Sequence, residues 1–328
     1  MLTFADIISA RARLAPFVPV TPLRTYPSLD QAVGSGISVF VKHENHLPTN
    51  SFKYRNGLAA MTALSPDERA RGVIATTLGN HGQGVAVAAR MLGVKARIFV
   101  PLNNNPDKNA AIRGFGAELI EVGDDYSATI AAAERAVAET GMVFVHSFTN
   151  PTVVAGAATV AVEMLEQQPD LEALVLSVGG GSHAVGAILV ARALKPSLRI
   201  YGVQAAGAPA VHDSWHAGKI MSRAAHTFAD GIRVTAPAGF GFEVLREGLS
   251  GFITVSERAI AGAVRTYLQC THNLCEGAGA AGLAGLRELA SELAGKRVGV
   301  VLTGSNIDQA TLAAVLAGAV AEPPVRRA

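Results

Sequence analysis

The chain has 328 residues, 49% of them hydrophobic and 16% charged, and its 28 basic and 26 acidic side chains leave a formal net charge of +2. This length gives room for a large core in one or two domains. The charges are spread along the chain, and Arg326-Arg327 forms a basic pair near its end. We therefore expect neither a nucleic-acid partner nor a membrane-surface partner.

The few cysteines point to a reducing compartment. Cys270 and Cys275 match neither a zinc-ligand spacing nor a Cys-x-x-Cys redox motif, which favours a cytoplasmic setting. No secretory signal is predicted at the N-terminus. No stretch approaches the ~20 uncharged apolar residues of a membrane span. The histidines form no His-Glu-x-x-His motif, and we predict no metal site.

Strand-like and helix-like segments alternate along most of the chain. The predicted strands are 37–41, 72–78, 96–101, 117–122, 142–146, 171–178, 199–204, 252–255 and 298–303. The predicted helices are 4–14, 58–64, 85–92, 106–115, 127–140, 152–166, 184–194, two between 257 and 293, and a final one. This order predicts right-handed βαβ units and a mostly parallel sheet. The irregular run 205–250 is predicted to form loops around a site.

Lys53 stands where a strand–loop–helix junction reaches the first turn of its helix. The positive end of the helix dipole and an apolar neighbourhood both disfavour the charged form of a lysine. A lysine that readily loses its proton can form a Schiff base with an aldehyde. The alternative is a solvated lysine at a helix start.

A second turn carries three glycines, Gly179, Gly180 and Gly181, between a predicted strand and a predicted helix. Such a turn suits a phosphate, because backbone N–H groups converge on an anion at a helix N-terminus. Tight strand–helix packing is the alternative. The spacing also fits a relaxed dinucleotide motif, which expects an acidic residue at the end of the next strand. Gln204 stands there, so a nicotinamide cofactor is the weaker interpretation.

Two more strand ends carry hydroxyl and amide groups. The segment 76–82 leaves its strand with Thr77 and Asn80, which suit a carboxylate, and 300–306 ends the last strand with Thr303. Caps of the following helices are the alternative interpretation. An aldehyde for Lys53, a phosphate for the glycine turn and a carboxylate for the Thr77 turn together describe pyridoxal phosphate with an amino acid.

The sequence resembles the fold-type II pyridoxal-phosphate enzymes, in the threonine/serine dehydratase and serine racemase group. Nearly the whole chain takes part, and the motifs occur in the family's order. They are Lys42-His43-Glu44-Asn45 with Ser51-Phe52-Lys53, Gly79-Asn80-His81-Gly82-Gln83, Gly179-Gly180-Gly181, Ala229-Asp230-Gly231, Glu276-Gly277-Ala278-Gly279, and Thr303-Gly304-Ser305-Asn306.

The resemblance implies a role for each motif. Lys53 would bind the cofactor aldehyde and act as the catalytic base, beside Phe52. The other implied cofactor contacts are Asn80, Gly179, Gly180, Gly181, Ser182, His183, Glu276 and Thr303. The implied substrate contacts are Ser51, Thr77, Leu78, Gly79, Asn80, His81 and Gly231.

Three positions depart from the family's pattern. Leu78 replaces the serine that acts as the second acid/base in serine racemase, which disfavours racemisation. Gln204 and Ala210 replace the two carboxylates of the family's divalent-metal site, so that site is predicted to be missing. Asn50 replaces a glycine just before the lysine motif, where the resemblance says least about the local backbone.

The resemblance implies an α/β fold of two three-layer α/β/α domains with mostly parallel sheets, similar to the tryptophan synthase β-subunit. Residues 1–65 and 149–328 would form a large cofactor-binding domain, and 66–148 a small inserted one. The implied reaction is β-elimination of a β-hydroxy-α-amino acid such as threonine or serine, with a β-replacement synthase or a racemase as alternatives. A nicotinamide oxidoreductase or a binding protein without turnover is less favoured. A homodimer is expected, and no C-terminal regulatory domain.

Overall fold

The computed structural model describes residues 2–237 and 239–320, so Arg326 and Arg327 lie outside the described residues. The chain divides into two compact units. Unit 1 comprises Met1–Val20 and His46–Thr159, and unit 2 comprises Thr21–Asn45 and Val160–Ala328. The sequence-based division at 66 and 148 remains a prediction about domains. Unit 1 is larger than the predicted inserted domain of residues 66–148, because it also includes residues 1–20, 46–65 and 149–159.

The strands form one sheet in each unit. Unit 1 holds β3 (Val73–Thr76), β4 (Ala96–Val100), β5 (Glu118–Glu121) and β6 (Val143–Phe144), in the order β5-β4-β3-β6. Unit 2 holds β1 (Leu23–Arg24), β2 (Ser38–His43), β7 (Ala173–Ser177), β8 (Arg199–Ala205), β9 (Gly251–Val255) and β10 (Arg297–Leu302), in the order β1-β2-β10-β7-β8-β9. Every pairing is parallel except β1 with β2. The predicted mostly parallel α/β architecture is confirmed.

Fourteen helices accompany these strands in the described part of the chain. They are α1 (Phe4–Leu14), α2 (Pro27–Val33), α3 (Lys53–Ala63), α4 (Pro66–Arg71), α5 (Asn80–Met91), α6 (Pro106–Gly114), α7 (Tyr126–Thr140), α8 (Pro151–Gln167), α9 (Ser182–Leu194), α10 (Ala210–Ala217), α11 (Gly241–Gly248), α12 (Glu257–Thr271), α13 (Gly277–Glu288) and α14 (Gln309–Leu316). None of the described helices is both long and apolar enough to cross a membrane.

In unit 1 the small sheet buries both faces, as parallel sheets do. Alternate residues of β3 point to opposite sides, because side chains alternate along a strand. Val73 packs with residues of α3, α5 and α6, such as Met61, Val85 and Ile112. Ile74 packs instead with α7. The α7 helix begins cleanly because the Asp125 side chain accepts the Ala128 N–H as an N-cap.

In unit 2 the larger sheet is likewise covered on both faces. Val39, Val175 and Val300 belong to a core shared with α2, α12 and α13. On the opposite face Gly299 leaves room for Met164 of α8, since a Cβ at Gly299 would come within 2.7 Å of the Met164 Cε. Helix layers on both sides of a parallel sheet agree with the predicted three-layer arrangement.

Several helices were missing from the sequence-based assignment. The run 205–250, predicted as loops, contains α10 and α11, so that prediction is wrong there. α2 and α4 each begin with a proline, and α4 also has a capping box between Ser65 and Glu68. These short helices carry few apolar residues, so their start signals were not matched by a clear periodic pattern.

Candidate active site

Lys53 is the first residue of α3, five residues before the predicted start of that helix. Its Nζ lies 4.8 Å from the centre of the Phe52 ring and 3.4 Å from the carbonyl oxygen of Ser147. Burial lowers the pKa of the Lys53 amine to about 8, against 10.5 for an ordinary lysine. A substantial fraction of the amine is therefore neutral near physiological pH, as nucleophilic and general-base chemistry requires.

The backbone just before Lys53 takes an unusual conformation at Asn50. Its φ is +52°, in the left-handed region that glycine adopts freely. Asparagine is among the few other residues that visit this region. Asn50 can therefore stand where the family has glycine without changing the course of the turn.

Ser51, next in the turn, is a candidate ligand contact because it is fully buried. Its Oγ has no hydrogen-bond partner among the residues that the structure describes. A buried hydroxyl normally finds a partner, so this one fits a ligand contact.

The turn between β3 and α5 is organised by Thr77. Its Oγ1 accepts the Gly79 N–H at 2.8 Å and the Gly82 N–H at 3.2 Å. With both acceptor positions used, the hydroxyl keeps one O–H to donate. The N–H groups of Asn80 and His81, in the first turn of α5, have no acceptor earlier in the helix. This turn can bind a carboxylate through one O–H and backbone N–H groups, and Leu78 adds only a half-buried apolar side chain.

His81 is a neutral side chain in this neighbourhood. Its Nε2 donates to the carbonyl oxygen of Val145 at 2.9 Å. Burial, and then the positive charge of Lys53, lower the pKa of His81 to about 3. The same two causes, burial first, lower the pKa of His146. Neither imidazole serves as a cation near Lys53 at neutral pH.

Two residues near these turns escaped the sequence reasoning. Lys108 of α6 is 9% exposed, and its stem covers Gly79, where an added Cβ would come within 2.7 Å of the lysine Cδ. Asn56 of α3 is fully buried. No motif marks Lys108, since it reaches the turn only through folding. Asn56 follows the Ser51-Phe52-Lys53 motif by three residues and belongs to none of the motifs named above.

In unit 2 the three glycines lie between β7 and α9, as predicted. Gly181 is the N-cap of α9 with a φ of +94°, and no side chain caps the helix there. A Cβ at Gly179 would come within 2.6 Å of the Gly231 carbonyl oxygen. The first turn of α9, with Ser182 and His183, thus begins without a side-chain cap, and a helix N-terminus of this kind suits an anion.

The other predicted residues of unit 2 lie around this turn. Gly231 packs against Gly179, and the Glu276 carboxylate lies 3.8 Å from the Cβ position of Gly231. Glu276 is the N-cap residue of α13, and its N–H donates to the carbonyl oxygen of Gly304. Thr303, directly before Gly304, is 6% exposed at the carboxyl end of β10. Unit 2 therefore brings its predicted cofactor residues into one neighbourhood.

Gln204, at the predicted missing metal site, makes protein contacts instead. Its Oε1 accepts the N–H groups of Val211 and His212 at 3.1 and 3.0 Å, which ties the end of β8 to the start of α10. No cluster of three or more His, Cys, Asp or Glu suited to a metal occurs among the described residues. The absence of a metal requirement stays a prediction.

Comparison with known families gives a match over most of the chain. The model of the family described as "Pyridoxal-phosphate dependent enzyme" matches residues 14–304. The L-threonine ammonia-lyase of Geobacter sulfurreducens is 39% identical over 283 residues, which cover 86% of this chain and 70% of that protein. The L-threo-3-hydroxyaspartate ammonia-lyase of a Pseudomonas species is 35% identical over 318 residues, or 96% of this chain and 99% of that protein.

Solved structures agree with this result. Maize serine racemase superposes with a TM-score of 0.91 at 30% identity, covering 96% of this chain and 97% of that one. The inferred fold-type II architecture and the resemblance to the dehydratase and racemase group are confirmed. With a family match that spans all the turns described above, the chain belongs to the pyridoxal-phosphate dependent enzymes.

Proposed function

We propose that this protein is an ammonia-lyase that eliminates water from a β-hydroxy-α-amino acid. Hydrolysis of the resulting imine then takes up one water and gives ammonia and a 2-oxo acid. The observation that carries the proposal is the buried Lys53 amine, with its pKa lowered to about 8, at the head of α3. Relatives named L-threonine ammonia-lyase and L-threo-3-hydroxyaspartate ammonia-lyase support this reaction class. Family membership removes the nicotinamide interpretation.

The chemistry of the residues fits pyridoxal phosphate. Lys53 offers an amine to the aldehyde, with Phe52 beside it. The N-terminus of α9, which no side chain caps, would hold the phosphate through backbone N–H groups. We assign the remaining contacts to Asn80, Glu276 and Thr303, the last of which offers a neutral hydroxyl for the ring nitrogen. When bound, this cofactor withdraws electrons from the Cα of an attached amino acid and so acidifies its proton.

Lys53 is the proposed catalytic base. With an amino acid in the site, the neutral amine of Lys53 would take the proton from the substrate Cα. Burial supports this role, because an amine with a pKa of about 8 is available as a base at neutral pH, whereas a solvated lysine is almost fully protonated. The C–O bond at Cβ would then break, and the hydroxyl would leave as water with the proton that Lys53 had taken from Cα.

The substrate carboxylate is assigned to the two turns of unit 1. The unpartnered Ser51 Oγ can donate one hydrogen bond, and Thr77 can donate its remaining O–H. Backbone N–H groups of Leu78, Asn80 and His81 add to the site at the start of α5, where the helix dipole favours an anion, while the Gly79 N–H is donated to Thr77 Oγ1 and shapes the turn. Gly231 is kept as a substrate contact of unit 2.

Racemisation is the main alternative on the same cofactor. It needs an acid/base on each face of Cα, and Leu78 has no exchangeable proton to serve as the second one. Structural similarity to a serine racemase supports considering this alternative. Formation of D-serine from L-serine would test it. A β-replacement synthase would instead require an added nucleophile. A homodimer and a cytoplasmic location remain predictions.

A substrate screen tests the proposal. The purified holoenzyme is incubated separately with L-threonine, L-serine and L-threo-3-hydroxyaspartate, and ammonia and 2-oxo acid are measured together. We expect equimolar release from at least one of them. Release from none of them, with D-serine or a β-substituted product instead, would establish an alternative activity.

A further inference from the structure

Asn56 is an unusual residue for the interior of α3. Its side chain is 0% exposed, and neither Oδ1 nor Nδ2 has a hydrogen-bond partner within residues 2–237 and 239–320. Leaving a buried amide unsatisfied costs its full desolvation penalty. Native proteins pair nearly all such groups with protein atoms or ordered water. Asn56 therefore indicates an internal ligand.

The position of Asn56 relates this ligand to Lys53. Residues three apart on a helix share a face, with their Cβ atoms about 5–6 Å apart. Helical side chains also lean toward the N-terminus. The Asn56 amide is thus directed toward the first turn of α3, where Lys53 stands.

His81 supplies a second unsatisfied group beside the same lysine. Its Nε2 carries the proton donated to Val145, so Nδ1 is an acceptor. That Nδ1 is buried and has no partner in the described part of the chain. Since the pKa of His81 is lowered to about 3, Nδ1 stays an acceptor across the physiological pH range.

Two carbonyl groups of one short segment hold the histidine and the lysine in the same neighbourhood. His81 Nε2 lies 2.9 Å from the oxygen of Val145, and Lys53 Nζ lies 3.4 Å from that of Ser147. Two residues of chain span at most about 7 Å. The positive charge of Lys53 also lowers the pKa of His81, which agrees with the imidazole and the amine being neighbours.

The two helices also pack closely at this end. A Cβ at Gly57 would overlap the backbone of Gly84, and a Cβ at Gly84 would overlap the carbonyl group of Lys53. Asn56 precedes Gly57, and His81 lies one turn before Gly84. The unsatisfied groups therefore belong to neighbouring turns of α3 and α5.

We propose that Asn56 and His81 bind an internal water that hydrogen-bonds to the Lys53 amine. The water donates to His81 Nδ1 and to Asn56 Oδ1, and its oxygen accepts N–H groups from Asn56 Nδ2 and Lys53. These four bonds satisfy every unsatisfied atom named above and the full capacity of the water. The water solvates the lysine inside the fold and holds its amine in place, a role that rests on the proposed function of Lys53.

The Asn56→Leu variant tests this role, because leucine keeps the branching of asparagine and removes both polar atoms. Without the water, the Lys53 ammonium loses a hydrogen-bond acceptor, and its pKa falls. We expect the midpoint of the pH dependence of pyridoxal-phosphate condensation with the apoenzyme to move down by about 0.5–1 unit. Asn109→Leu is the control. Asn109 is also buried, but its Oδ1 accepts a hydrogen bond from Asn104, and its replacement should leave the midpoint unchanged.

A crystal structure of the unmodified protein gives an answer even if the variant fails to fold. We expect ordered water density within hydrogen-bond distance of Asn56 and His81 Nδ1. Protein partners for both groups, or an unchanged midpoint in a folded Asn56→Leu variant, would overturn the inference. If pyridoxal phosphate fails to condense with Lys53 in the unmodified protein, the proposed function fails instead. The presence of the internal water is then tested only by the electron density next to Asn56 and His81.

Discussion

The lysine turn of unit 1 (residues 50–53) and the glycine turn of unit 2 (residues 179–181) are built on opposite principles. The first works through side chains, with an amine whose pKa is lowered by burial and a buried, unsatisfied hydroxyl at Ser51. The second works through the lack of side chains, because a Cβ at Gly179 would strike the backbone of Gly231. Reactive chemistry needs specific side-chain atoms, whereas a phosphate cradle needs only bare N–H groups.

This contrast predicts that substitutions in the two turns fail in different ways. Changes in the lysine turn should remove chemistry and leave the phosphate contacts intact. Changes in the glycine turn should weaken cofactor binding and leave Lys53 reactive at saturating cofactor.

Replacing the lysine should have the largest effect. Lys53→Ala removes the proposed general base, so turnover should fall by about 10²–10⁴-fold or more, and the Schiff-base absorbance band should vanish. Steady-state kinetics and absorption spectra measure both. A variant that keeps the band would show that another lysine holds the cofactor.

Adding one methyl group to the glycine turn should have an intermediate effect. Gly179→Ala places a Cβ 2.6 Å from the Gly231 oxygen, and the resulting strain of about 1–3 kcal/mol should weaken cofactor affinity roughly 10- to 100-fold. Titration of the apoenzyme measures this change. Gly262→Ala, on α12, is the control, because its Cβ would make only an ordinary van der Waals contact, at 3.9 Å from Arg265 Nη2, and it should bind the cofactor normally. Equal cofactor affinities in the two variants would contradict the proposal that the glycine turn binds the cofactor phosphate.

The pH dependence of condensation probes the lysine turn alone. Because the folded pKa of Lys53 is about 8, the neutral amine increases about tenfold per pH unit below 8 and levels off above it. The rate of pyridoxal-phosphate condensation with the apoenzyme should follow this curve at constant ionic strength. A rate that keeps rising toward pH 10.5 would instead describe a solvated lysine.

The backbone of the lysine turn should show the smallest effect. At a φ of +52° alanine is strained and glycine is not, so Asn50→Gly should be more stable than Asn50→Ala by about 1 kcal/mol. Both variants lack the amide, so their difference reports the backbone alone. We expect melting temperatures to differ by about 2–4 °C. Equal melting temperatures would mean that this turn adjusts freely.

The sequence was informative where local chemistry determines structure. Alternating apolar runs gave the parallel sheets, and glycine or hydroxyl residues at strand ends gave both turns of the site. The predicted start of α3 was late because Tyr54, Arg55 and Asn56 interrupt the apolar pattern. These residues are nonetheless buried, by helices that pack against them only after folding.

Features that depend on tertiary contacts could not be read from the sequence. Lys108 covers Gly79 from a different helix, and no sequence pattern between the two residues predicts this contact. The two unsatisfied groups of Asn56 likewise become visible only once its burial is known. Asn50 was the opposite case, since the departure from glycine proved compatible with the local backbone.

The proposed function depends most directly on which lysine binds the cofactor. Borohydride reduction of the holoenzyme fixes the cofactor covalently, and peptide mass spectrometry then locates it. We predict the reduced cofactor on the peptide that contains Lys53, at close to one per chain. Its appearance on a different lysine, or on none, would contradict the central claim.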